Sequence, residues 1–319
     1  MQEKIIHYIL GLVLIGIAGY VAQAVFYPDT QADEVVIQTL VENIGPSVDS
    51  VFISNEQYGL SDDYSGGTIT GLNGGSTKEI HINGIVSDLN NEEDINQVVV
   101  VFYRTNHISA QNCEADDNDC YKNDTNTTCL MDTSYGSSTQ VKFDCQFDLT
   151  YFIDATDASS DNNSTTDWTV YVKVIDDDGA FDIDVSVIKE IQTLLSLNIP
   201  ASISFGTMTL GANTVIADNQ TMTIEQFGNG SADVEVSGTD LICDGSTAFI
   251  PLGNIEWSLT DVDYGSGTDL TGTPADTNLN VAVRTDTTST EKIYWNIKVP
   301  TSGVKGNCTG STTITTIAH

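Results

Sequence analysis

A chain of 319 residues with 45 Asp and Glu against 11 Lys and Arg carries a formal charge of -34, which repels a phosphate backbone and excludes nucleic-acid binding. Hydrophobic residues make up 40% of it and aromatics occur throughout, so the disordered state common among acidic chains is excluded as well. With about 30 leader residues set aside, the remainder exceeds one small β-sandwich and suits two domains of ordinary size.

The chain opens with Lys4 followed by an uncharged, mostly apolar stretch at 5–26. As a helix it would run about 33 Å, enough to span a hydrocarbon core. It assigns everything downstream to the outside of the cell or its surface, with membrane contact only through 5–26 if that stretch is retained. Two fates stay open. Ala22-Gln23-Ala24 and Thr30-Gln31-Ala32 offer small-x-small cleavage sites for a signal peptide, whereas the length of the apolar run suits a retained anchor. A pilin-like retained helix is disfavoured, because no basic residue followed by a Gly or Ala cut site precedes the run.

Behind the leader, residues 33–43 (DEVVIQTLVEN) can form a strand. It is either the first strand of its own domain or a strand donated to a neighbour's sheet edge. From there on, short runs rich in Val, Ile, Thr, Tyr and Phe alternate with Gly, Asn, Asp and Ser clusters, and no long apolar period of 3.6 residues occurs. The class is all-β. Strands are expected at 50–54, 78–86 and 97–104, the last nearly continuous in apolar residues as a central strand would be. Between 105 and 138 the pattern gives way to a polar insertion holding three cysteines and the acidic run 116–119. A loop that long calls for ties, which disulfides would supply.

At 141–149 Val141, Phe143, Cys145, Phe147 and Leu149 share one face, and Lys142, Asp144, Gln146 and Asp148 share the other. Trp168, Val170, Val172 and Val174 repeat the pattern up to Asp176-Asp177-Asp178-Gly179, and 181–187 completes a hairpin. Residues 191–200 read as a linker ending at Pro200. Strands of a second sandwich are expected at 202–210, 220–226, 232–236, 255–259, 279–284, 292–299 and 311–317, with Trp257 and Trp295 as core residues. The expected organisation is a leader at 1–32, a sandwich at 33–190 with its insertion at 105–138, the linker at 191–200 and a second sandwich at 201–319.

Six cysteines in an exported chain read as disulfides. If Cys243 and Cys308 share a separate domain they must pair. Cys113, Cys120, Cys129 and Cys145 keep alternatives, of which the neighbouring pairs 113 with 120 and 129 with 145 are favoured. A zinc site is disfavoured, since Cys113-x6-Cys120 lacks close C-x2-4-C ligand pairs and no histidine pair accompanies it.

The stretch from Trp168 to Gly179 resembles the penultimate strand and acidic turn of PKD-like and cadherin-like domains in prokaryotic surface proteins. Residues 227–241 and 294–310 resemble the last domain of many such proteins. The resemblance implies two tandem immunoglobulin-like β-sandwich domains after an N-terminal apolar helix. It supports fold more than role. One departure is Cys308, which stands where an aromatic would be expected in a G-x-Tyr-x-G turn, so a disulfide to Cys243 would take over that anchoring.

The usual hydrolytic signatures G-x-S-x-G, H-E-x-x-H and G-x-x-x-x-G-K do not occur, and His7, His81, His107 and His319 are too scattered to build a triad on. Calcium is the better chemical expectation, because hard cations want six to eight oxygens. Candidate ligands are Asp88, Asn90, Glu92 and Asp94 in one loop, Asp116, Asp117 and Asp119 in a second, and Asp176, Asp177, Asp178 and Asp182 in a third. None of these matches an EF-hand. The alternative for each loop is turn chemistry on a solvated acidic surface. Seven N-x-[ST] sequons begin at Asn123, Asn126, Asn162, Asn163, Asn219, Asn229 and Asn307, a number close to chance for this composition.

The leading expectation is a non-enzymatic extracellular or cell-surface protein for adhesion, a surface layer or a filament assembled by strand addition. Its partners would be other surface proteins or copies of itself. The second is a secreted calcium-dependent module binding glycans or another protein, and the third a secreted hydrolase built on a carboxylate pair.

Overall fold

The computed structural model describes residues 38–105, 109–123, 129–285 and 287–319. The apolar stretch at 5–26 and its cleavage or retention, residues 33–37 and His107 lie outside the described residues. Residues 43–319 form one unit, separate from 1–42. Among the described residues there is no α-helix, and none long and apolar enough to cross a membrane. Strands and four short 3-10 turns make up the regular structure there.

The strands up to residue 191 are β1 (Ser47–Ser54), β2 (Thr68–Ile69), β3 (Thr77–Ser87), β4 (Ile95–Arg104), β5 (Cys120–Asn123), β6 (Cys129–Asp132), β7 (Gln140–Thr150), β8 (Trp168–Asp176), β9 (Phe181–Asp184) and β10 (Ile188–Ile191). One sheet runs β1-β3-β7-β6 and the other β2-β10-β8-β4-β5, with β9 also on β8. The two sheets share one core and so form a β-sandwich, with β2 paired in parallel to β10 at the edge of the second sheet.

Alternation drives this packing. Val141, Phe143, Cys145, Phe147 and Leu149 of β7 are all buried, facing Val98, Val100 and Phe102 of β4 and Trp168, Val170, Val172 and Val174 of β8 in one core. Burial of each such side chain contributes about 2 kcal/mol. Trp168 stacks on Phe102 at 4.8 Å between centroids and donates its indole N–H to the Asp154 carbonyl at 2.9 Å. A side chain at Gly84 would lie 2.0 Å from the Ser50 carbonyl, so only glycine lets β1 and β3 pair here.

The 105–138 stretch differs from expectation in contributing two short strands, β5 on β4 and β6 on β7. Four residues are too few to display alternation. The stretch is tied by Cys113–Cys120 and Cys129–Cys145, the second pair directly opposed across β6 and β7.

The remaining strands are β11 (Leu197–Asn198), β12 (Gln220–Gln226), β13 (Ala232–Gly238), β14 (Leu241–Cys243), β15 (Phe249–Ile250), β16 (Ile255–Ser258), β17 (Thr268–Asp269), β18 (Ala275–Asp276), β19 (Thr290–Ile297), β20 (Cys308–Thr309) and β21 (Thr312–Ala318). A sheet β11-β12-β19-β16-β17 faces β18-β13-β21, which continues as β15-β14-β20. Their core holds Trp257 and Trp295, opposed across β16 and β19. Here β12 lies beside β19 and the last strand, β21, lies beside β13. Cys243–Cys308 ties β14 to β20.

Two expected strands are missing. Residues 202–210 are not in a ladder, although Ile203, Phe205 and Met208 pack on the second core: the alternation of Ile203 and Phe205 breaks at Gly206, whose φ is 66°, and Met208 falls on the other parity. Residues 279–284 reduce to a single bridge at Val281, where Asn278 and Asn280 adopt positive φ of 53° and 48°.

The two cores share a polar and aromatic joint. Asn229, 4% exposed, donates Nδ2 to the carbonyls of Ile153 (3.0 Å) and Gln192 (3.1 Å) and accepts the Leu194 N–H on Oδ1. Phe227 packs on Tyr151 at 5.4 Å, and the Arg284 guanidinium lies over the Phe152 ring at 4.4 Å.

Candidate functional site

Two features stand out, an acidic crown at one end of the sheets around the first core and an uncharged edge on the sheets around the second. The crown arises from register. Ile95 pairs with Asp176, so the start of β4 and the end of β8 lie side by side, while Asp88 follows directly on β3. Among the described residues, Asp88, Asp94 and Asp176 form the one group whose oxygens could converge on a single ion, each offering an atom within 4.8 Å of the others. Asp88 and Asp176 are each 1% exposed.

Asp88 accepts the Asn90 N–H on Oδ1 at 2.8 Å, while its buried Oδ2 has no donor. Glu92, in the 3-10 turn Glu92–Asp94, also buries an Oε2 without a donor. Asp176 accepts the Ala180 N–H on Oδ1 at 2.7 Å and the Asn43 side-chain amide on Oδ2 at 2.8 Å. The Asp94 carboxyl is raised above its ordinary value, first by desolvation and then by Asp88, Asp176, Asp178 and Asp177.

The structure thus draws from two of the three loops separately expected to hold a cation. Of the other candidates, Asn90 accepts the Ile44 N–H on Oδ1 at 2.7 Å, Asp182 accepts the Val48 N–H on Oδ2 at 2.9 Å, and Asp177 and Asp178 are exposed in the turn. The Asp116, Asp117 and Asp119 loop makes hydrogen bonds within itself and to its neighbouring strands. Asp116 caps the Asn118 N–H at 2.8 Å, the Asp117 carbonyl takes the Tyr121 hydroxyl at 2.8 Å, and the Asp119 carbonyl takes the Arg104 N–H at 2.9 Å.

The edge is β21, hydrogen-bonded to β13 on one side only. Its sequence, TTITTIA, carries no charge. Every other edge strand of four or more described residues has one: Asp49 in β1, Lys122 in β5, Asp132 in β6, Asp182 and Asp184 in β9. Sequence reading found β21 as a strand, but its edge position comes from its pairing with β13 alone, which local pattern does not show.

A third polar cluster lies on the outer face of the first sandwich. Asp144, read from alternation as a surface residue, is 2% exposed beneath the 55–64 loop, accepting the Tyr58 N–H at 2.8 Å and pairing with His81 Nδ1 at 2.9 Å. His81 Nε2 faces Glu79 at 3.2 Å, and the nearby Ser54 hydroxyl is held by the Glu56 carbonyl at 2.7 Å. The imidazole is bracketed by carboxylates, Asp144 at Nδ1 and Glu79 at Nε2. A shallow depression is lined by Thr239, Asp240, Ile242, Thr309, Gly310 and Ser311, with Asp240 as its one ionisable side chain.

No family model and no curated protein sequence matches the chain. Among solved structures it is similar to the CsuC–CsuE chaperone–tip adhesion subunit pre-assembly complex from archaic chaperone-usher Csu pili of Acinetobacter baumannii. That match has 12% identity and a TM-score of 0.33, covering 78% of this chain and 95% of that one. It is similar also to a chaperone–tip adhesin complex of CFA/I fimbriae biogenesis, at 11% identity and a TM-score of 0.29, covering 84% of each chain. TM-scores this low establish neither a common fold nor a common role.

Proposed function

We propose that this chain is a non-enzymatic extracellular or cell-surface structural protein of two tandem immunoglobulin-like sandwiches, 33–190 and 201–319 joined by 191–200, which links to further copies by strand addition. The observation that carries the reading is β21, a seven-residue uncharged edge in a chain of charge -34. Natural sheets blunt such edges with charge, proline or cover, and this one has neither charge nor proline. The strand it would receive is 33–43 of a second copy. Residues 38–43 of that segment join no strand, and Leu40 and Val41 stand 92% and 75% exposed. The acids Asp33, Glu34 and Glu42 would meet no like charge on β21.

Light scattering of the full chain tests this. Assembly should be lost both on deleting 33–43 and in the double variant Thr313→Lys, Thr315→Lys, with circular dichroism showing folded protein in each. Assembly that survives both changes, or a full chain that never assembles, refutes the reading. A second reading, a calcium-dependent module binding glycans or another surface protein, is favoured by the crown around Asp88. A glycan or protein hit that disappears when calcium is chelated would support it over a purely structural role.

A further inference from the structure

We propose that Asp88, Asp94 and Asp176 form a calcium site that fastens residues 43–46, the lead-in to β1, onto the crown of the first sandwich. Two oxygens bound to one calcium at about 2.4 Å each can lie no farther apart than about 4.8 Å, and the three carboxylates meet that limit pairwise. Their elements are fixed in register by β4 and β8. The donors are all oxygen, which selects a hard cation, and they sit where β3 and β8 end and in the 3-10 turn before β4.

The second observation is the Asp88 carboxylate. It is 99% removed from solvent by its 1% exposure, and Oδ2 has no hydrogen-bond donor. A buried carboxylate oxygen left without donor or cation costs several kcal/mol in general, so proteins seldom keep one without a partner to supply the charge. Asp176 is compatible with a metal ligand although it already accepts two hydrogen bonds, because each carboxylate oxygen has a second lone pair.

The lead-in is attached to the same parts. Asn43 donates to Asp176, the Ile44 N–H donates to Asn90 in the Asp88 loop, Gly45 lies against Ala180 of the β8–β9 turn, Pro46 is buried, and the Val48 N–H donates to Asp182. Asn43, Ile44 and Val48 are thus anchored to Asp176, Asn90 and Asp182, all from the two acidic segments, while the Ser47 hydroxyl bonds to Asp49 and Ser87. Without a cation, the mutual repulsion of the carboxylates opens these loops and releases the lead-in; with calcium the loops close and hold it. By linkage, the factor by which calcium tightens the lead-in equals the factor by which the lead-in tightens calcium.

The full chain, stripped with chelator, is titrated with calcium chloride by calorimetry and followed by amide hydrogen exchange. One calcium should bind, raising Tm by about 5 °C at a hundredfold excess over Kd. Magnesium at the same concentration should give less than half that shift. Exchange at the Ile44 amide should slow at least tenfold. Asp88→Asn and, as a second variant in case the first misfolds, Asp94→Asn should each weaken calcium at least tenfold. Asn43→Ala should weaken it by the factor that exchange at Ile44 reports. Absence of binding, or binding untouched by either aspartate change, overturns the site. Binding that leaves Ile44 exchange unchanged overturns the fastening, and neither result bears on strand addition at β21.

Discussion

Replacing Cys243 and Cys308 together by alanine should be the most damaging of the three disulfide deletions. The pair closes 65 residues of chain, against 16 for Cys129–Cys145 and 7 for Cys113–Cys120. Loop-closure entropy in the unfolded state then gives about 4, 3 and 2 kcal/mol respectively. About 4 kcal/mol corresponds to a fall in Tm of about 10 °C for a unit of this size. The assay uses the placement of the three tryptophans. Trp168 lies in the first core and Trp257 and Trp295 in the second, so in a Trp168→Phe background, urea unfolding by fluorescence reports the second core alone. A loss below about 1 kcal/mol, or one no larger than that of the Cys113–Cys120 deletion, would refute the entropic argument. It would mean that β14 and β20 are held by their ladder and not by the crosslink.

Asn229→Ala should cost about 3 kcal/mol, because the Ile153 and Gln192 carbonyls and the Leu194 N–H lose their partner inside the joint. Calorimetry of the variant should then resolve two transitions, and a single transition unshifted from that of the native chain would contradict the joint. Gly84→Ala should destabilise by more than about 3 kcal/mol or prevent folding, since β1 must move away from β3; unchanged urea unfolding would count against the close approach. Trp168→Ala should cost about 4 kcal/mol by the same measurement, and a loss under about 1 kcal/mol would displace Trp168 from the centre of the core. Asp132 is held below its ordinary value first by the Ser134 hydroxyl and backbone N–H, so Ser134→Ala should raise its titration midpoint in an NMR pH series. A lowered folded pKa favours the fold above the unfolded midpoint and fades as pH falls through the folded one, so the variant should lose its stability at a higher pH than the native chain.

Strands with several alternating positions were legible from sequence. In β7 and β8 every residue read as inward is buried, because a half-buried sheet imposes a period of two on its side chains. The same logic failed where alternation and pairing part company. Ile203 and Phe205 alternate and pack but have no ladder, since side-chain pattern reports a facing surface and not a backbone partner. Asp144 shows the converse, a residue on the outward parity that a loop covers and His81 satisfies. The crown was half legible. Its residues were conspicuous as acids, but Asp88 and Asp176 stand far apart in the chain, and only the register of β4 on β8 brings their loops together. Nothing marked Asn229 as a joint residue, because one amide meeting three backbone groups from another part of the chain leaves no trace in local pattern.

Asn229 is also the first residue of an Asn-Gly-Ser sequon, and its side-chain nitrogen is the atom that a glycan would have to occupy. Glycosylation and folding therefore compete for one amide. A chain that folds first hides the acceptor, which is 4% exposed, and the preceding Gly228 runs so close to Leu194 that a Cβ there would lie 2.1 Å from its carbonyl oxygen. A chain modified first cannot close the joint between its two cores. In a host that glycosylates during export, the order of these two events would divide the product into a rigid population and a hinged one. Expression history, as well as sequence, would then set how stiff a preparation of this protein is.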